Sequence, residues 1–463
     1  MRGLYWFRND LRVEDNAALF EASQQCHDGI LAVYCIPYET WRKHHMAGCK
    51  VDFILRHLPS LAEALSKLNI PLHIEIHKTY RDSAQKIAEL ASLHKVQAVY
   101  CNREYEWDER QRDLLLTNLL APDHITLHTF DESVIVPPGK VFTGKGSPYT
   151  VFTPFKKAAL LYLSRPGTLV CTGMPAKQKN AFASSSPIPT HVPGFHSDIP
   201  ATLWPAGIDE AQRRLDHFLA TGLDKYQVQR DYPNIDGTSK LSPYLHIGAI
   251  SVKRCYELGQ ASPTWISELL WRDFYKQISF HFPHVCKGKS FHLDYDKMKW
   301  DHDEKAINAW KAGETGYPFV DAAMKQLVQT GWMHNRLRML VAMFFCKLMY
   351  QDWRIGEKFF MEHLIDGDFS SNNGGWQWSS ATGTDAAPYF RIFNPRRQSE
   401  EFDADGTFIR QYLPILKDLS ARDIHAPPSV LAKEIGYPAP LLEYEKARKL
   451  SLSRFLAFKK ETR

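Results

Sequence analysis

The sequence has few cysteines, and they show none of the spacings that bind metals or form disulfide frameworks. Eight cysteines are scattered along 463 residues, and no CxxC pair occurs. This pattern favours a reduced protein of the cell interior over a small secreted scaffold. We therefore expect a cytoplasmic protein with no metal site.

Long apolar runs are also missing. The N-terminal stretch MRGLYWFRNDLR is charged within its first dozen residues and has no apolar core region, so it does not resemble a secretory signal. The most apolar helical run, MLVAMFFCKLMY, is short and is interrupted by Lys347, so we expect no membrane span. The net charge of +5 permits an anionic partner without requiring one.

The glycines never form GxGxxG, the usual dinucleotide fingerprint. The first 130 residues nevertheless alternate helical periodicity with the β-rich runs LYWF, ILAVYCI, PLHIEIH, AVYCN and ITLHTF. Such alternation predicts βαβ units and a parallel sheet. Residues 131–205 are rich in Pro, Gly and Ser, which predicts a long linker with one helix near 155–164. We predict an α/β plus all-α protein: a Rossmann-like α/β domain (1–130), an interdomain linker (131–205) and a helical domain (206–463).

Tryptophan is unevenly distributed. Nine of the twelve tryptophans lie at position 204 or beyond, and eight of those fall between Trp265 and Trp378. A large aromatic core would explain them, but many have Arg, Asn or Asp as neighbours, which favours stacking on a planar anionic group. In NNGGWQW, Trp376 and Trp378 would point about 200° apart if the stretch is helical.

Two helical segments combine aromatic, charged and amide side chains. ELLWRDFY places Glu268, Trp271 and Arg272 on one helix face, which suits a base-binding surface or an ordinary ion pair beside a core indole. In GWMHNRLRM, the spacings of three and four predict that Trp332, Asn335 and Met339 share a face.

Two loop segments carry polar groups suited to a cofactor. LIDGDFSSNNGG has Asp366 and Asp368 around Gly367, which suits a metal, cofactor hydroxyl or amine groups, or a helix cap. GTSKLSPYLHIG has Thr238 and Ser242 near a predicted helix start, a pattern that can bind phosphate but is also common at ordinary helices.

Taken in order, these segments resemble the photolyase/cryptochrome flavoproteins, and most closely the class I cyclobutane pyrimidine dimer photolyases. The resemblance extends from WFRNDLRVEDN through VFTPF, GTSKLSPYL, TGYPFVDAAMKQL and GWMHNRLRM to LIDGDFSSNNGGWQWSSATGTDAAPYFRIFNP. It implies that the helical domain binds FAD and that the chain is a light-dependent DNA repair enzyme, a carbon–carbon lyase. Excited reduced FAD would pass an electron to a pyrimidine dimer flipped out of the duplex, a base movement for which photolyases are a standard example.

The resemblance assigns site residues by position. It implies the FAD contacts Tyr226, Thr238, Ser239, Lys240, Leu241, Ser242, Trp265, Arg272, Asn335, Arg338, Asp366, Gly367, Asp368 and Asn372. The lesion pocket would be lined by Glu268, Trp271, Asn335, Met339 and Trp378. DNA would be contacted by Arg230, Glu268, Trp271, Arg272, Asn335, Arg336 and Gln398. An electron relay would run from the flavin to the surface through Trp376, Trp353 and Trp300. Asn372 would lie beside flavin N5.

The family usually carries a second, light-harvesting chromophore. The resemblance implies methenyltetrahydrofolate at Asp108, Glu109, Cys286 and Lys287. EWDER has Asp108 where the folate-binding pattern typically has Asn, so a deazaflavin or no antenna are the alternatives.

The expected partner is DNA containing pyrimidine dimers, bound by a monomer that is nucleoid-associated and has no membrane contact. The alternatives are a cryptochrome-type blue-light photoreceptor, a (6-4) photolyase and a flavin-free DNA-binding module. Asn372 and the lack of a low-complexity tail favour repair over photoreception. Asn335 and Met339 stand where (6-4) photolyases carry histidine-containing sequence. The intact flavin motifs disfavour the third alternative.

Overall fold

The computed structural model describes residues 1–179, 182 and 185–461. Residues 180, 181, 183 and 184, which belong to the predicted linker, and residues 462 and 463 lie outside the described part of the chain.

The predicted strands form one parallel sheet. They are β1 (Gly3–Phe7), β2 (Ile30–Pro37), β3 (Leu72–His77), β4 (Ala98–Asn102) and β5 (Thr126–Phe130). The strand order is β3-β2-β1-β4-β5, with Tyr5 of β1 opposite Ala32 on one side and Tyr100 on the other. Strands β1, β2 and β4 are buried along their whole length, because helices cover both faces of such a sheet. The predicted Rossmann-like sheet is confirmed.

Helices alternate with these strands and continue into the predicted linker. They are α1 (Ala17–Gln25), α2 (Tyr38–Lys43), α3 (Gly48–Lys67), α4 (Tyr80–Leu93), α5 (Trp107–Leu120) and α6 (Phe152–Leu163). α4 begins with a capping box, in which the Thr79 hydroxyl accepts from the Asp82 amide and the Asp82 carboxylate accepts from the Thr79 amide. α6 is the helix predicted near 155–164.

The remainder of the chain is helical, as predicted. The helices are α7 (Ile208–Thr221), α8 (Tyr226–Gln229), α9 (Ser242–His246), α10 (Val252–Leu258), α11 (Pro263–His281), α12 (Glu304–Ala312), α13 (Pro318–Thr330), α14 (Asn335–Met343), α15 (Trp353–His363), α16 (Phe369–Ser380), α17 (Pro395–Phe402), α18 (Thr407–Tyr412), α19 (Ser429–Glu434) and α20 (Tyr444–Glu461). Short 3₁₀ turns occur at Ala121–Asp123, Val285–Lys287, Leu293–Lys297 and Pro414–Leu416, and a π-helical turn at Phe344–Leu348. Among the described residues, no helix is long and apolar enough to cross a membrane.

One expectation about α14 is wrong. Trp332 does not share a helix face with Asn335 and Met339, because the helix begins only at Asn335. His334 is its N-cap, and the imidazole accepts a hydrogen bond from the backbone N–H of Arg336.

The chain groups into two compact units, each with its own core. The first comprises Met1–Asp224, Ser239–Pro283 and Ile365–Ser370, and the second comprises Lys225–Thr238, His284–Leu364 and Ser371–Arg463. The domain limits predicted at 130 and 205 stay a prediction.

The core of the first unit packs sheet residues such as Trp6 and Val33 against α4 and α5. The core of the second unit is aromatic and includes Trp310, Trp353 and Trp376. Gly356 of α15 makes room for this core, because a Cβ at that position would lie 2.1 Å from Cη2 of Trp376.

Candidate functional site

The site residues predicted from the sequence are divided between the two units. The first unit holds Ser239, Lys240, Leu241, Ser242, Trp265, Glu268, Trp271, Arg272, Asp366, Gly367 and Asp368. The second unit holds Tyr226, Arg230, Thr238, Asn335, Arg336, Arg338, Met339, Asn372, Trp378 and Gln398.

The face of α11 in the first unit carries an acid, an indole and a guanidinium. Glu268, Trp271 and Arg272 share this face by their spacing. The Trp271 ring stacks on the Phe152 ring of α6, with centroids 3.7 Å apart and planes 11° apart. Arg272 donates hydrogen bonds to the carbonyls of Ser133 and Leu245, so its guanidinium is anchored on backbone. Phe152 was missed by sequence reasoning, although VFTPF is one of the family motifs.

A buried ionic cluster surrounds Asp368, which directly precedes α16. Lys276 Nζ lies 2.9 Å from Asp368 Oδ2 and 3.2 Å from Glu106 Oε1, and His246 Nδ1 lies 3.4 Å from the same Asp368 oxygen. Burial alone would raise the pKa of Asp368, but the Lys276 ammonium and the His246 hydrogen bond outweigh it and hold that pKa well below its usual range. Asp368 is therefore an ionised carboxylate, and Lys276 pairs with both Asp368 and Glu106.

Lys50 fixes the backbone next to this cluster. Its Nζ donates to the Gly367 carbonyl at 3.0 Å, and burial lowers the pKa of Lys50 to about 8. Sequence reasoning selected Asp366, Gly367 and Asp368 but missed their partners, because Lys50, His246 and Lys276 come from distant segments. One signal was available: Lys276 follows Arg272 by four residues on α11.

The loop before α9 makes a tight turn at Ser239–Leu241. Lys240 adopts a left-handed conformation with φ +49°, which is uncommon for a residue other than glycine. The Ser239 hydroxyl accepts from the Leu241 amide at 3.4 Å, and α9 begins at Ser242, as predicted. Pro243 in the first turn has no N–H, so hydroxyl groups and the remaining amides of this turn are the groups suited to a phosphate oxygen.

Two arginines of the second unit meet at one carboxylate. Arg336 Nη2 lies 2.9 Å from Asp231 Oδ1, and Arg230 Nε lies 3.9 Å from the same oxygen. Arg336 also donates to Gln398 Oε1 at 3.3 Å, and its guanidinium lies 3.9 Å from the centroid of Phe402. Three predicted DNA contacts are thus brought together, and sequence reasoning missed Asp231, which joins two of them.

Tyr226 on α8 and Asn335, Arg338 and Met339 on α14 are further predicted site residues of the second unit. The Arg230 guanidinium lies 5.5 Å from the Tyr226 ring centroid, and Tyr226 is buried. Asn335 Nδ2 points at Met339 Sδ at 3.9 Å, so the predicted i, i+4 pair shares a face. Arg338 donates to the Met333 carbonyl at 2.8 Å.

Helix α16 gives Trp376 and Trp378 different surroundings, as its spacing predicts. Trp376 is 2% exposed and packs edge-to-face against Phe360 and Trp310, with centroids 5.0 and 6.0 Å apart. Trp378 is half-buried, and the Arg391 guanidinium lies 6.0 Å from its ring centroid.

Asn372 and Asn373 are both held by Glu357 of α15. Asn372 Nδ2 donates to the Glu357 carbonyl at 2.9 Å, and Asn373 Nδ2 donates to Glu357 Oε1 at 3.0 Å. Burial raises the pKa of Glu357 to about 7. Asn372 is therefore hydrogen-bonded to the backbone of Glu357, a residue whose carboxyl group has a pKa near neutrality.

The two outer members of the predicted relay also belong to the second unit. Trp353 is fully buried at the start of α15, with the Arg354 guanidinium 4.6 Å from its ring centroid. Trp300 is only partly buried and lies beside Tyr350, with centroids 5.2 Å apart. The indole N–H groups of Trp300 and Trp353 have no hydrogen-bond partner among the described residues. Trp376 and Trp353 are both buried and Trp300 is only partly buried, and the relay stays a prediction.

The antenna residues predicted on α5 lie in a polar cluster of the first unit. His44 Nε2 lies 2.9 Å from Asp108 Oδ2, and the Tyr80 hydroxyl donates to Glu109 Oε1 at 2.9 Å. Burial and the nearby Glu106 raise the pKa of Glu109 to about 7. Sequence reasoning missed His44 and Tyr80.

The remaining antenna residues, Cys286 and Lys287, lie in the 3₁₀ turn Val285–Lys287 of the second unit. None of the cysteines, all of which are described, forms a disulfide. Within the described ranges, no group of three or more His, Cys, Asp or Glu side chains is arranged to hold a metal ion.

Two family models match the chain. The model for the DNA photolyase domain matches residues 3–175, and the model for the FAD binding domain of DNA photolyase matches residues 265–457. The second match covers the site residues on α11, α14 and α16.

Solved structures share the fold. A bacterial class III photolyase from Agrobacterium tumefaciens superposes with a TM-score of 0.87 at 33% identity, covering 99% of this chain and 98% of that one. A Synechocystis cryptochrome gives a TM-score of 0.87 at 27% identity, covering 98% and 99%. An archaeal photolyase from Sulfolobus tokodaii, solved with two FAD molecules, gives 0.83 at 28% identity, covering 99% and 100%.

Curated relatives match along their whole length. The deoxyribodipyrimidine photo-lyase of Escherichia coli is 39% identical over 471 residues, covering 99% of each chain. That of Salmonella typhimurium is 40% identical over 470 residues, covering 99% of each chain. Identity at this level over the full length shows that the chain belongs to the photolyase/cryptochrome family, as its motifs predict.

Proposed function

We propose that this protein is a deoxyribodipyrimidine photolyase, a flavoenzyme that uses light to split cyclobutane pyrimidine dimers in DNA. The observation that carries the proposal is the α11 face: Glu268 lies three residues before a Trp271 ring that Phe152 supports from below. An indole held in one orientation can replace the stacking that a flipped-out base loses, and an adjacent acid can hydrogen-bond a pyrimidine edge.

The residues of the first unit fit a flavin nucleotide. The turn at Ser239–Ser242 offers hydroxyls and helix-start amides for phosphates. Asp368 is ionised and fixed by Lys276, so it suits hydrogen bonds from ribose or amine groups. Nε2 of His246 is buried and has no hydrogen-bond partner within the described part of the chain, which leaves one polar atom for a bound group.

Within the second unit, the proposed flavin contacts are Tyr226, Asn335, Arg338 and Asn372. The Glu357 carbonyl accepts a hydrogen bond from Nδ2 of Asn372. This bond fixes the side-chain amide of Asn372 and with it the direction of Oδ1. When bound and reduced, FAD supplies the light-driven electron that splits the cyclobutane ring. The chain positions the reacting groups and excludes water from them.

DNA would be held by charge and by stacking. Arg230 and Arg336, joined by Asp231 and accompanied by Gln398, suit backbone phosphates. Trp378, half-buried beside Arg391, suits the lesion. The protein would act as a cytoplasmic monomer that associates with the nucleoid through DNA.

The repair activity can be tested directly. Protein with reduced FAD is mixed with oligonucleotides carrying either a cyclobutane thymine dimer or a (6-4) product, and repair is followed under near-UV or blue light and in the dark. We expect light-dependent repair of the cyclobutane dimer only. Repair of the (6-4) product, or no repair of either by the reduced protein, would contradict the proposal. The cryptochrome-type photoreceptor also predicts no repair, so the same assay separates the two functions.

Glu268 gives a sharper test of the lesion pocket. Glu268→Ala removes the hydrogen-bonding carboxyl, whereas Glu268→Gln keeps a side chain of the same size. We expect the alanine variant to lose several-fold in repair per absorbed photon, as expected for the loss of about 1–2 kcal/mol of hydrogen bonding to the reacting base. The glutamine variant should lose less, and FAD content should be unchanged in both. A loss of FAD content equal to the loss of repair would indicate that Glu268 belongs to the flavin site and not to the lesion pocket.

For the antenna, we propose a folate bound at Asp108 and Glu109. The cluster of His44, Tyr80 and Glu109 supports this choice, because it presents paired donors and acceptors suited to a pterin edge. An absorption spectrum of the purified protein tests it: a near-UV band beyond that of FAD is expected, and its loss in Glu109→Ala would assign the band to this cluster. A spectrum of FAD alone after reconstitution with folate would favour the deazaflavin or no antenna.

A further inference from the structure

Lys347 lies in the π-helical turn Phe344–Leu348 that directly follows α14. Its side chain is fully buried. Nζ donates to the carbonyls of Pro388 and Arg391, both at 3.1 Å, and to that of Ala387 at 3.5 Å. An ammonium group has three N–H donors, so one short segment of backbone satisfies all of them.

This arrangement is unusual for a lysine. Among the described residues, no carboxylate lies within ion-pair distance of Lys347, so only carbonyl dipoles stabilise its ammonium form, and burial lowers the pKa of Lys347 to about 7. Burying an ammonium is unfavourable, and an apolar side chain such as methionine would suit the surrounding core of Phe344, Phe345 and Leu348. π-helical turns are themselves rare and are frequently found at functional sites. The charge therefore has a local task, which is to shape residues 387–391.

The segment 387–391 leads directly to Trp378. The backbone N–H of Ala387 donates to the Trp378 carbonyl at 3.1 Å, while the carbonyl of Ala387 accepts from Lys347. Arg391 places its guanidinium 6.0 Å from the Trp378 ring centroid. Between them, Phe390 is 60% exposed, which is high for so large an apolar side chain. Lys347 thus fixes both ends of a short loop that carries a cation and an exposed ring beside Trp378.

We propose that Lys347 is a positioning residue for lesion recognition. It holds the 387–391 loop in the shape that sets Arg391 beside Trp378, and so raises the affinity for DNA with a flipped-out dimer without touching the DNA. The inference rests on the proposed function, because it deepens the role given there to Trp378. A purely structural role predicts lower stability alone, whereas positioning predicts selective loss of binding to damaged DNA.

The test compares Lys347→Met with Lys446→Met in the FAD-loaded protein. Methionine keeps the volume of Lys347 but has no N–H donor. Lys446, whose side chain is 85% exposed, controls for the loss of one positive charge. The dissociation constant is measured for oligonucleotides with and without a cyclobutane dimer, and the repair rate is measured at saturating DNA. For Lys347→Met we expect about tenfold weaker binding of the damaged strand, the effect of losing one set of buried hydrogen bonds. Binding of undamaged DNA, FAD content and the saturated repair rate should stay within about twofold of wild type.

A second variant keeps the test decisive if Lys347→Met folds poorly. Arg391→Ala removes the cation that the loop presents, and it should reproduce the selective loss of binding to damaged DNA. Lys347→Gln, which keeps two donors, should show a smaller loss. If Lys347→Met does fold, adding it to Arg391→Ala should weaken binding no further.

Failures of the two proposals are distinguishable. Wild-type protein that repairs dimers, together with position-347 variants that bind damaged DNA as tightly or lose damaged and undamaged DNA equally, would overturn the inference alone. A fully additive double variant would do the same. Wild-type protein that neither binds nor repairs dimers would overturn the proposed function and this inference together.

Discussion

At the scale of single residues, Trp376 and Trp378 differ sharply although they are two positions apart on α16. Trp376 lies within an aromatic core with Trp310 and Phe360, where its ring is shielded from water. Trp378 is half-buried beside Arg391. One indole is therefore suited to electron transfer inside the protein and the other to contact with a ligand.

The two substitutions Trp376→Phe and Trp378→Phe should fail in different assays. Trp376→Phe keeps an aromatic ring in the core but is harder to oxidise, so photoreduction of oxidised flavin should slow strongly while repair by reduced enzyme is largely kept. Trp378→Phe keeps a smaller aromatic ring, so it should weaken binding of damaged DNA by about two- to fivefold, a part of the about 1–3 kcal/mol that stacking of one base contributes, and it should leave photoreduction unchanged. Transient absorption and DNA titration measure the two effects. Equal loss of both functions in either variant would contradict the division of roles.

At the scale of elements, Asp273 of α11 ties the predicted linker to the helical segment. The backbone N–H groups of Ile135 and Val136 both donate to Asp273 Oδ2 at 2.8 Å, and the carboxylate is fully buried. These are the amides of residues that have no strand or helix partner, so a side chain takes the place of secondary structure.

Removing this carboxylate should destabilise the first unit. Asp273→Ala leaves two buried amides without an acceptor, and we expect a loss of about 2–4 kcal/mol in the free energy of unfolding. Asp198→Ala, at a side chain that is 93% exposed, should change it by less than about 0.5 kcal/mol. Urea unfolding followed by circular dichroism measures both. Equal midpoints for the two variants would show that the linker is held by other contacts.

The elements themselves were predictable, whereas their polar partners were not. Strand runs such as AVYCN and the apolar periodicity of the helix predicted near 155–164 are local signals, so their bounds are correct to a few residues. The site motifs were found through family resemblance, which does not reveal tertiary partners. Lys276 with Asp368, and Asp231 with Arg336, join segments far apart in the chain. Only folding brings such partners together.

The surroundings of Lys347 could not be predicted from the sequence either. In the sequence it interrupts an apolar run, and a charged residue in such a run indicates a polar surface. In the structure it is buried, because the carbonyls that receive it lie 40 to 44 positions later in the chain. Periodicity alone cannot show that a lysine is buried against backbone carbonyls from a distant segment.

At the scale of the whole molecule, acidity should change stability through carboxyl groups that burial keeps protonated. Glu357 is such a group, since burial raises its pKa from the ordinary value of 4.5 to about 7. Between these two values the folded protein binds more protons at this position than the unfolded protein does. The contribution of Glu357 to stability is therefore fully present below about pH 4.5 and is lost as the pH rises to about 7.

Glu357→Gln should remove this dependence while keeping the oxygen that accepts from Asn373. Relative to wild type, the variant should gain about 1–3 kcal/mol in the free energy of unfolding between pH 5 and pH 8, because it has no proton to lose. Urea unfolding of the two proteins at both pH values measures the gain, and Glu362→Gln on the same helix controls for the removal of one negative charge. Parallel pH profiles for wild type and Glu357→Gln would mean that Glu357 is ionised in the folded protein at pH 5. In that case the carboxylate beside Asn372 would act on a bound flavin as a fixed negative charge rather than as a group able to hold a proton.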